Sequence, residues 1–284
     1  MKAKMVLSLA YPPYPNDTYV FSAWSNGLVN AAPRVAVSLD HVEALNVAAF
    51  ASRYTVTKAS YGAMPLLLGD YRMLRAGSSF GLETGPLLVG RPDANGTIPT
   101  LESLPREARI AIRGPMTTCH LLLQLALGRS PIVEIMRPDR IIGAVARGEV
   151  AAGVLMAETC YPYEEAGLRC ISDLGQWWRQ ETGRPTPVTG VLVRRDVPLD
   201  SAREIDATIR ASLAFGREHE PEIAPYIQAD PSEADEATRR NVISTYVNGF
   251  TEDVGDDGAA AVDELFSRAL RQGLIPGATR ADFV

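Results

Sequence analysis

Residues 153–163, GVLMAETCYPY, run from an apolar stretch straight into Ala157, Glu158, Thr159, Cys160 and Tyr161. Strand ends that spill into polar residues are where α/β proteins keep their chemistry. Glu158 is thus a candidate acid or base, whereas Ala157, the first residue out of the strand, can do no proton transfer. A second cluster is PNDT, where Asn16, Asp17 and Thr18 stand at a helix start. One such residue capping the helix contributes about 1 kcal/mol, and three in a row exceed what one start requires, which leaves ligand contact open for the others. A third is PMTT, in which Thr117 and Thr118 open a helix whose first N–H groups, with the two threonine hydroxyls, form a natural cradle for a carboxylate. Arg113, one residue before that turn, can pair with the same carboxylate or stand as a surface charge. Lys58, Ala59 and Ser60 end another strand, with Ser60 as helix cap or ligand contact. His120 follows Cys119 in the first helical turn and is a candidate acid–base group, although a lone histidine there more often packs. His41 and His219 read as surface residues, Trp177 and Trp178 as core. Cys119 and Cys160 have no evident base to activate them.

The elements needed to hold these residues follow a strand–helix grammar. KMVLSLA, RVAVSL and YTVTKA read as strands, DTYVFSAWSNGL and a segment from Asp40 as helices, and SYGAMPLLLG as a short helix. On the helix after Asp40, Leu45, Val47, Ala48 and Phe50 lie on or near the inner face. GPLLVG leaves this first unit, and RPDANGTIPTLESLPREA links it to a second. There ARIAIRG, IVEIM, EVAAGVLM, LRCISDLG and VTGVLVRRD are strands, interleaved with helices at PMTTCHLLLQLALG, PDRIIGAVARG and QWWRQETG. This alternation implies βαβ units and mainly parallel sheets. The tail is helical, most clearly at DGAAAVDELFSRALRQGLIPG, where Val262, Leu265, Phe266, Ala269 and Leu270 repeat at helical spacing. Each half begins with a strand, a proline-containing turn and hydroxyl residues at a helix start. Such a chain predicts an α/β protein of two lobes, with a cleft lined from both sides and C-terminal helices packed back on the first lobe. Lobe I takes residues 1–88 and 190–284, and lobe II residues 89–189.

Composition narrows the function. The 284 residues are 46% hydrophobic and 22% charged, ordinary for a globular protein, and the net charge of −6 opposes a nucleic-acid or anionic-membrane partner. No stretch approaches the ~20 apolar residues of a membrane span. The apolar run in MKAKMVLSLAYPPYP is too short for a secretory core and reads as a first strand, which predicts a cytoplasmic protein. Three cysteines without CxxC spacing suit a reducing compartment and oppose a zinc site, and no metal is expected. The partner expected is a small carboxylic acid, bound by a monomer or homodimer.

Taken together, YPNDTYVF, VTKASYGAMP, TTCHLLL, ARGEVAAGVLMAET, LGQWWRQETGRPTPVTGVLVRRD and TYVNGFTEDVGDDGAAAV follow the order seen in the 1,4-dihydroxy-6-naphthoate synthase family of the futalosine menaquinone pathway, which the chain resembles over nearly its whole length. The resemblance implies a two-lobed, type II periplasmic-binding-protein-like fold. It also implies a lyase that splits cyclic de-hypoxanthine futalosine into 1,4-dihydroxy-6-naphthoate and dihydroxyacetone without metal or organic cofactor. Chorismate dehydratase is a sister of that family with the same fold. The family's ligand contacts fall on Lys58, Ala59, Ser60, Thr118 and Cys119. Its general base is the histidine of a His-Glu-x-x-x-x-Tyr segment, in which Glu158 and Tyr163 match and Ala157 stands where the histidine belongs. Nearby, Tyr14 replaces the cysteine of Ser-Pro-Cys-Pro, and GLETGP brings in Glu83 where the family has Gly-Arg-Gly before Gly-Pro. PVTG stands in place of Pro-Leu-Gly. Three readings stay open: a family enzyme whose base has been removed, a diverged lyase or dehydratase of another small cyclic carboxylic acid in which Glu158, His120 or Glu83 supplies the remaining acid–base function, and a small-molecule binder without catalysis.

Overall fold

In the computed structural model, which describes residues 6–156, 163–227, 236–277 and 280–284, short Val-, Leu- and Ile-rich segments become strands and the amphipathic stretches between them become helices. The strands are β1 (Leu7–Tyr11), β2 (Val35–Leu39), β3 (Val56–Ser60), β4 (Tyr71–Gly81), β5 (Leu87–Gly90), β6 (Arg109–Ile112), β7 (Ile132–Ile135), β8 (Ala152–Leu155), β9 (Arg169–Asp173) and β10 (Thr186–Arg194). They form two five-stranded sheets, ordered β2-β1-β3-β10-β4 and β7-β6-β8-β5-β9. The two orders are the same pattern used twice, so the molecule is an α/β protein with two equivalent lobes.

The sheets are less parallel than the alternation implies. β1 runs parallel to β2 and β3, and β6 runs parallel to β7 and β8. However, β10 is antiparallel to both β3 and β4, and β5 is antiparallel to both β8 and β9. Each antiparallel strand is the one the chain reaches directly from the other sheet, so it enters against the direction set by the βαβ units. Beside the first crossing, Gly85 lies so close to Gly175 that a Cβ on Gly85 would stand 2.6 Å from the Gly175 Cα, which fixes both positions as glycine.

The helices are α1 (Pro15–Ser25), α2 (Val42–Phe50), α3 (Thr118–Leu127), α4 (Pro138–Arg147), α5 (Leu174–Thr182), α6 (Leu199–Glu218), α7 (Glu220–Ile223), α8 (Glu236–Tyr246), α9 (Gly249–Glu252) and α10 (Gly255–Arg271). Several expectations need correction. Only Met64–Leu66 of SYGAMPLLLG is helical, as a single 3-10 turn, and β4, the longest strand, is one that the strand–helix alternation does not predict. The inner face of α2 is Val42, Leu45, Asn46 and Ala49, whereas Val47 and Phe50 are exposed. α6 packs with α1 and the first sheet through Ile205, Ile209 and Leu213. The last helix packs on the first lobe as expected and also reaches the second: Val262, Leu265 and Phe266 of α10 share one apolar cluster with Leu192 of β10, with Leu121, Leu122 and Leu125 of α3 and with Trp178 of α5. Arg268 adds to that seam, its guanidinium carbon 5.8 Å from the Trp178 ring centroid. Trp178 is itself core, donating its indole N–H to Pro185 O at 3.0 Å. Among the described residues no helix is long and apolar enough to cross a membrane.

Candidate functional site

Between the sheets lies a cleft of about 460 Å³. Its floor is a row of hydroxyls from three adjacent strands. Thr189 of β10 is in register with Ser60 of β3 on one side and Ser79 of β4 on the other, and side chains paired across strands share a face. All three line the cleft. Ser60 is held by Asn46, fully buried in α2. The Asn46 Oδ1 accepts the Ser60 amide at 2.9 Å, and its Nδ2 donates to the Ser60 hydroxyl at 3.1 Å.

Behind the floor on the first lobe is a buried ion pair. Lys58, fully buried in β3, places Nζ 2.7 Å from Asp17 Oδ1 in the first turn of α1. The ammonium also donates to Gly77 O at 2.7 Å and to Ser79 Oγ at 3.2 Å. The ammonium is thus met by a carboxylate at ion-pair distance and by two hydrogen-bond acceptors, the kind of compensation under which a buried charge is tolerated. Gly77 can turn its carbonyl inward because it takes φ +85°, in the left-handed region. Asn16 lines the cleft beside this group, its Nδ2 3.5 Å from Ser79 Oγ.

This geometry revises the capping of α1. The N-cap is Tyr14, which makes no side-chain cap hydrogen bond, so Asn16, Asp17 and Thr18 all lie inside the first turn. Thr18 turns its hydroxyl back onto Tyr14 O at 2.9 Å and takes no place on the cleft wall, whereas Asn16 and Asp17 do.

The second lobe supplies the opposite wall from β6 and α3. Arg113, Thr117, Thr118 and Cys119 all line the cleft, joined by Met156 at the exit of β8. The two threonine hydroxyls, expected to hold a ligand, are engaged with the protein. Thr117 is the N-cap of α3, accepting the His120 amide at 3.3 Å and donating to Gly114 O at 2.8 Å. Thr118 accepts the Gly62 amide at 3.0 Å and donates to Val188 O at 2.5 Å, tying the helix to β10 of the first lobe. What remains for a ligand on this wall is the amide array of the helix start, favourable to an anion, and the Arg113 guanidinium. The Cys119 sulfur lies 3.1 Å from the Met156 sulfur.

His120 is not on the cleft. Its Nδ1 lies 2.8 Å from Pro115 O, and burial lowers its pKa, with that hydrogen bond opposing. From the other lobe, Glu43 Oε1 accepts the Met116 amide at 3.2 Å, and burial raises the Glu43 pKa against the hydrogen bonds from Met116 and Asn46. Ala59 is buried in β3 without lining the cleft, and Glu83 is exposed, with its backbone oxygen taken by Arg179. Ala157, Glu158, Thr159, Cys160 and Tyr161 lie outside the described residues; Met156, immediately before them, lines the cleft.

Sequence reasoning missed Ser79, Thr189, Asn46, Glu43, Tyr14 and Tyr246. Two had a signal. Tyr246 of the TYVNGF segment lines the cleft, and Asn248 beside it accepts the Phe250 amide at 3.1 Å while donating to Phe80 O at 2.9 Å, so the motif anchors α9 to the end of β4. Tyr14, noted as a departure from the family pattern, lines the cleft with its ring 5.8 Å below the Arg113 guanidinium carbon.

Two lobes that share one strand order and enclose a cleft between them define the periplasmic-binding-protein-like class. A crystal structure of an Archaeoglobus fulgidus protein matches with a TM-score of 0.85 at 32% identity, covering 95% of this chain and 98% of that one. The alkanesulfonate-binding protein SsuA of Xanthomonas axonopodis, bound to MOPS, matches at 0.71 with 13% identity and 99% of each chain, a likeness of fold alone. Within this class the chain belongs to the menaquinone-biosynthesis family, whose model matches residues 7–271. It is 38% identical over 279 residues to the 1,4-dihydroxy-6-naphthoate synthase of Thermus thermophilus, covering 98% of this chain and 99% of that enzyme. The Streptomyces coelicolor enzyme of the same name is 32% identical over 275 residues, 95% of each.

Proposed function

We propose that this protein acts in menaquinone biosynthesis as a carbon–carbon lyase, releasing 1,4-dihydroxy-6-naphthoate from cyclic de-hypoxanthine futalosine. The observation that carries the reading is the full-length relationship to two enzymes of that name, joined to a cleft whose two walls suit the two ends of such a molecule. The carboxylate goes to the α3 start and Arg113, where backbone amides and a guanidinium favour an anion. The oxygen-rich ring carrying the future ketone goes to the hydroxyl floor of Ser60, Ser79 and Thr189. Lys58 and Asp17 keep that floor rigid and polarised from behind.

The test is a single-turnover incubation with cyclic de-hypoxanthine futalosine, following naphthoate by mass spectrometry, with Ala157→His run alongside. The expected result is naphthoate from the unaltered chain. If neither protein releases it, the reading fails, and a lyase or dehydratase for another cyclic carboxylic acid takes its place, the reading that Tyr14 and Glu83 at departures from the family pattern would then favour.

A further inference from the structure

A cleavage that yields a ring and a ketone needs one proton taken from a substrate hydroxyl and one delivered to the other fragment. The residue at 157 cannot carry either, and His120 is turned away onto Pro115. One acid–base pair does reach the cleft from outside it. Tyr14, 8% exposed and part of the cleft wall, has its hydroxyl 3.1 Å from Nδ1 of His41, which is exposed at the N-cap of α2. In the tautomer that carries its hydrogen on Nε2, His41 accepts the phenol's hydrogen at Nδ1. The Arg113 cation over the Tyr14 ring favours negative charge developing on that phenol.

We propose that Tyr14 is the catalytic acid–base residue of this cleft and that His41 acts through it as a proton relay to solvent. The inference rests on the lyase reading above. As the substrate hydroxyl gives its proton to Tyr14 Oη, the phenolic proton passes to His41 Nδ1. The oxygen's electron pair becomes the second bond of the new carbonyl, and the carbon–carbon bonding pair stays with the ring fragment. In the return step the imidazolium reprotonates Tyr14 as Tyr14 delivers its proton to that fragment. No oxidant or metal enters the balance. The charged groups around the pair are Asp40, whose Oδ1 accepts the His41 amide at 2.8 Å, Glu43 in the first turn of α2, Arg113 over the ring, and Asp17 on the same cleft, itself paired with Lys58.

The experiment compares the unaltered protein with Tyr14→Phe, His41→Ala and Ala157→His over a pH series, in H2O and D2O. Tyr14→Phe keeps the ring under Arg113 and removes only the hydroxyl, so the fold is preserved. Its kcat should fall by about 10²-fold or more, the usual worth of a positioned acid–base group, with KM little changed. His41→Ala should remove from the pH profile the same ionisation that Tyr14→Phe removes, and both should alter the solvent isotope effect, which a merely structural hydrogen bond would not. Full activity in Tyr14→Phe, or turnover by Ala157→His alone, overturns the relay while leaving the substrate assignment standing. If neither the unaltered protein nor Ala157→His turns over, the lyase reading falls first. Imidazole ¹⁵N shifts then judge the pair: His41 Nδ1 must show a hydrogen-bonded acceptor shift that disappears in Tyr14→Phe, and no difference between the two overturns it.

Discussion

The two walls of the cleft face each other across one ligand space but are made of different material. On the first lobe an ammonium and a carboxylate are buried together, Lys58 with no exposed side-chain surface and Asp17 with 4%. On the second lobe the buried groups are neutral hydroxyls, Thr117 and Thr118, each bridging two backbone groups. The charged wall holds its shape through interactions among side chains, and so depends on every partner being present. The neutral wall holds its shape by satisfying backbone, and offers a ligand the helix amides and Arg113. The contrast implies that substitutions in the buried Lys58–Asp17 pair reach the ligand mainly through stability, and that those on the second wall separate stability from binding.

Breaking the charged wall should give the largest effect. Lys58→Met leaves the Asp17 carboxylate buried without its cation, and removing one member of a buried pair costs about 3–5 kcal/mol. Urea denaturation measures it. Adding Asp17→Asn should recover a large part of the loss, because the stranded charge is then gone. A single substitution that costs less than about 1 kcal/mol would mean that the pair behaves like a surface bridge, and the contrast between the walls would collapse.

The neutral wall is tested by Thr118→Val, which keeps the branched shape but deprives the Gly62 amide and Val188 carbonyl of their partner. The expected loss is about 1–3 kcal/mol in the same denaturation experiment. If stability instead stays put and naphthoate binding weakens, the hydroxyl is a ligand contact after all, as the helix-start pattern suggests on its own.

Much of this plan is legible in the sequence because it is written in local signals. Strand ends and helix starts locate Lys58–Ser60 and Thr117–Cys119, and the repeated strand–turn–helix grammar gives two lobes. The illegible parts depend on non-local pairing. β4, YRMLRAGSSFG, breaks the strand alternation at Gly77 and carries Arg72 and Arg75 among its apolar residues, yet pairing with β10 makes it a strand and brings Ser79 to the cleft. Asn46 sits within the buried stripe of α2, where a count of apolar residues skips it, although its amide positions Ser60. Tyr14 and His41 are 27 residues apart, and the parallel pairing of β1 with β2, which sets Tyr11 beside Leu39, brings the loops that carry them together. Ala157 and Glu158, the strand mouth that the sequence singles out most sharply, lie outside the described residues.

The smallest effect should come from the turn between the walls, and its sign is opposite on the two sides. His120 holds Pro115 from the second lobe, and Glu43 holds Met116 from the first. The His120 pKa is lowered from 6.5 by burial. Below 6.5 the unfolded imidazole therefore binds a proton that the folded one resists, so stability is lost as pH falls from 6.5 toward the folded value. The Glu43 pKa is raised from 4.5 by burial, so there the folded state takes the proton first, and its contribution is present at low pH and lost as pH rises through the folded value. His120→Asn, which keeps a donor near Pro115, should flatten the decline in unfolding free energy between about pH 7 and pH 5. Glu43→Gln should instead remove the part of the curve that favours the folded state in acid. Equal slopes for the unaltered protein and His120→Asn would show that the histidine is solvated in the folded state and that the turn is held from the first lobe alone.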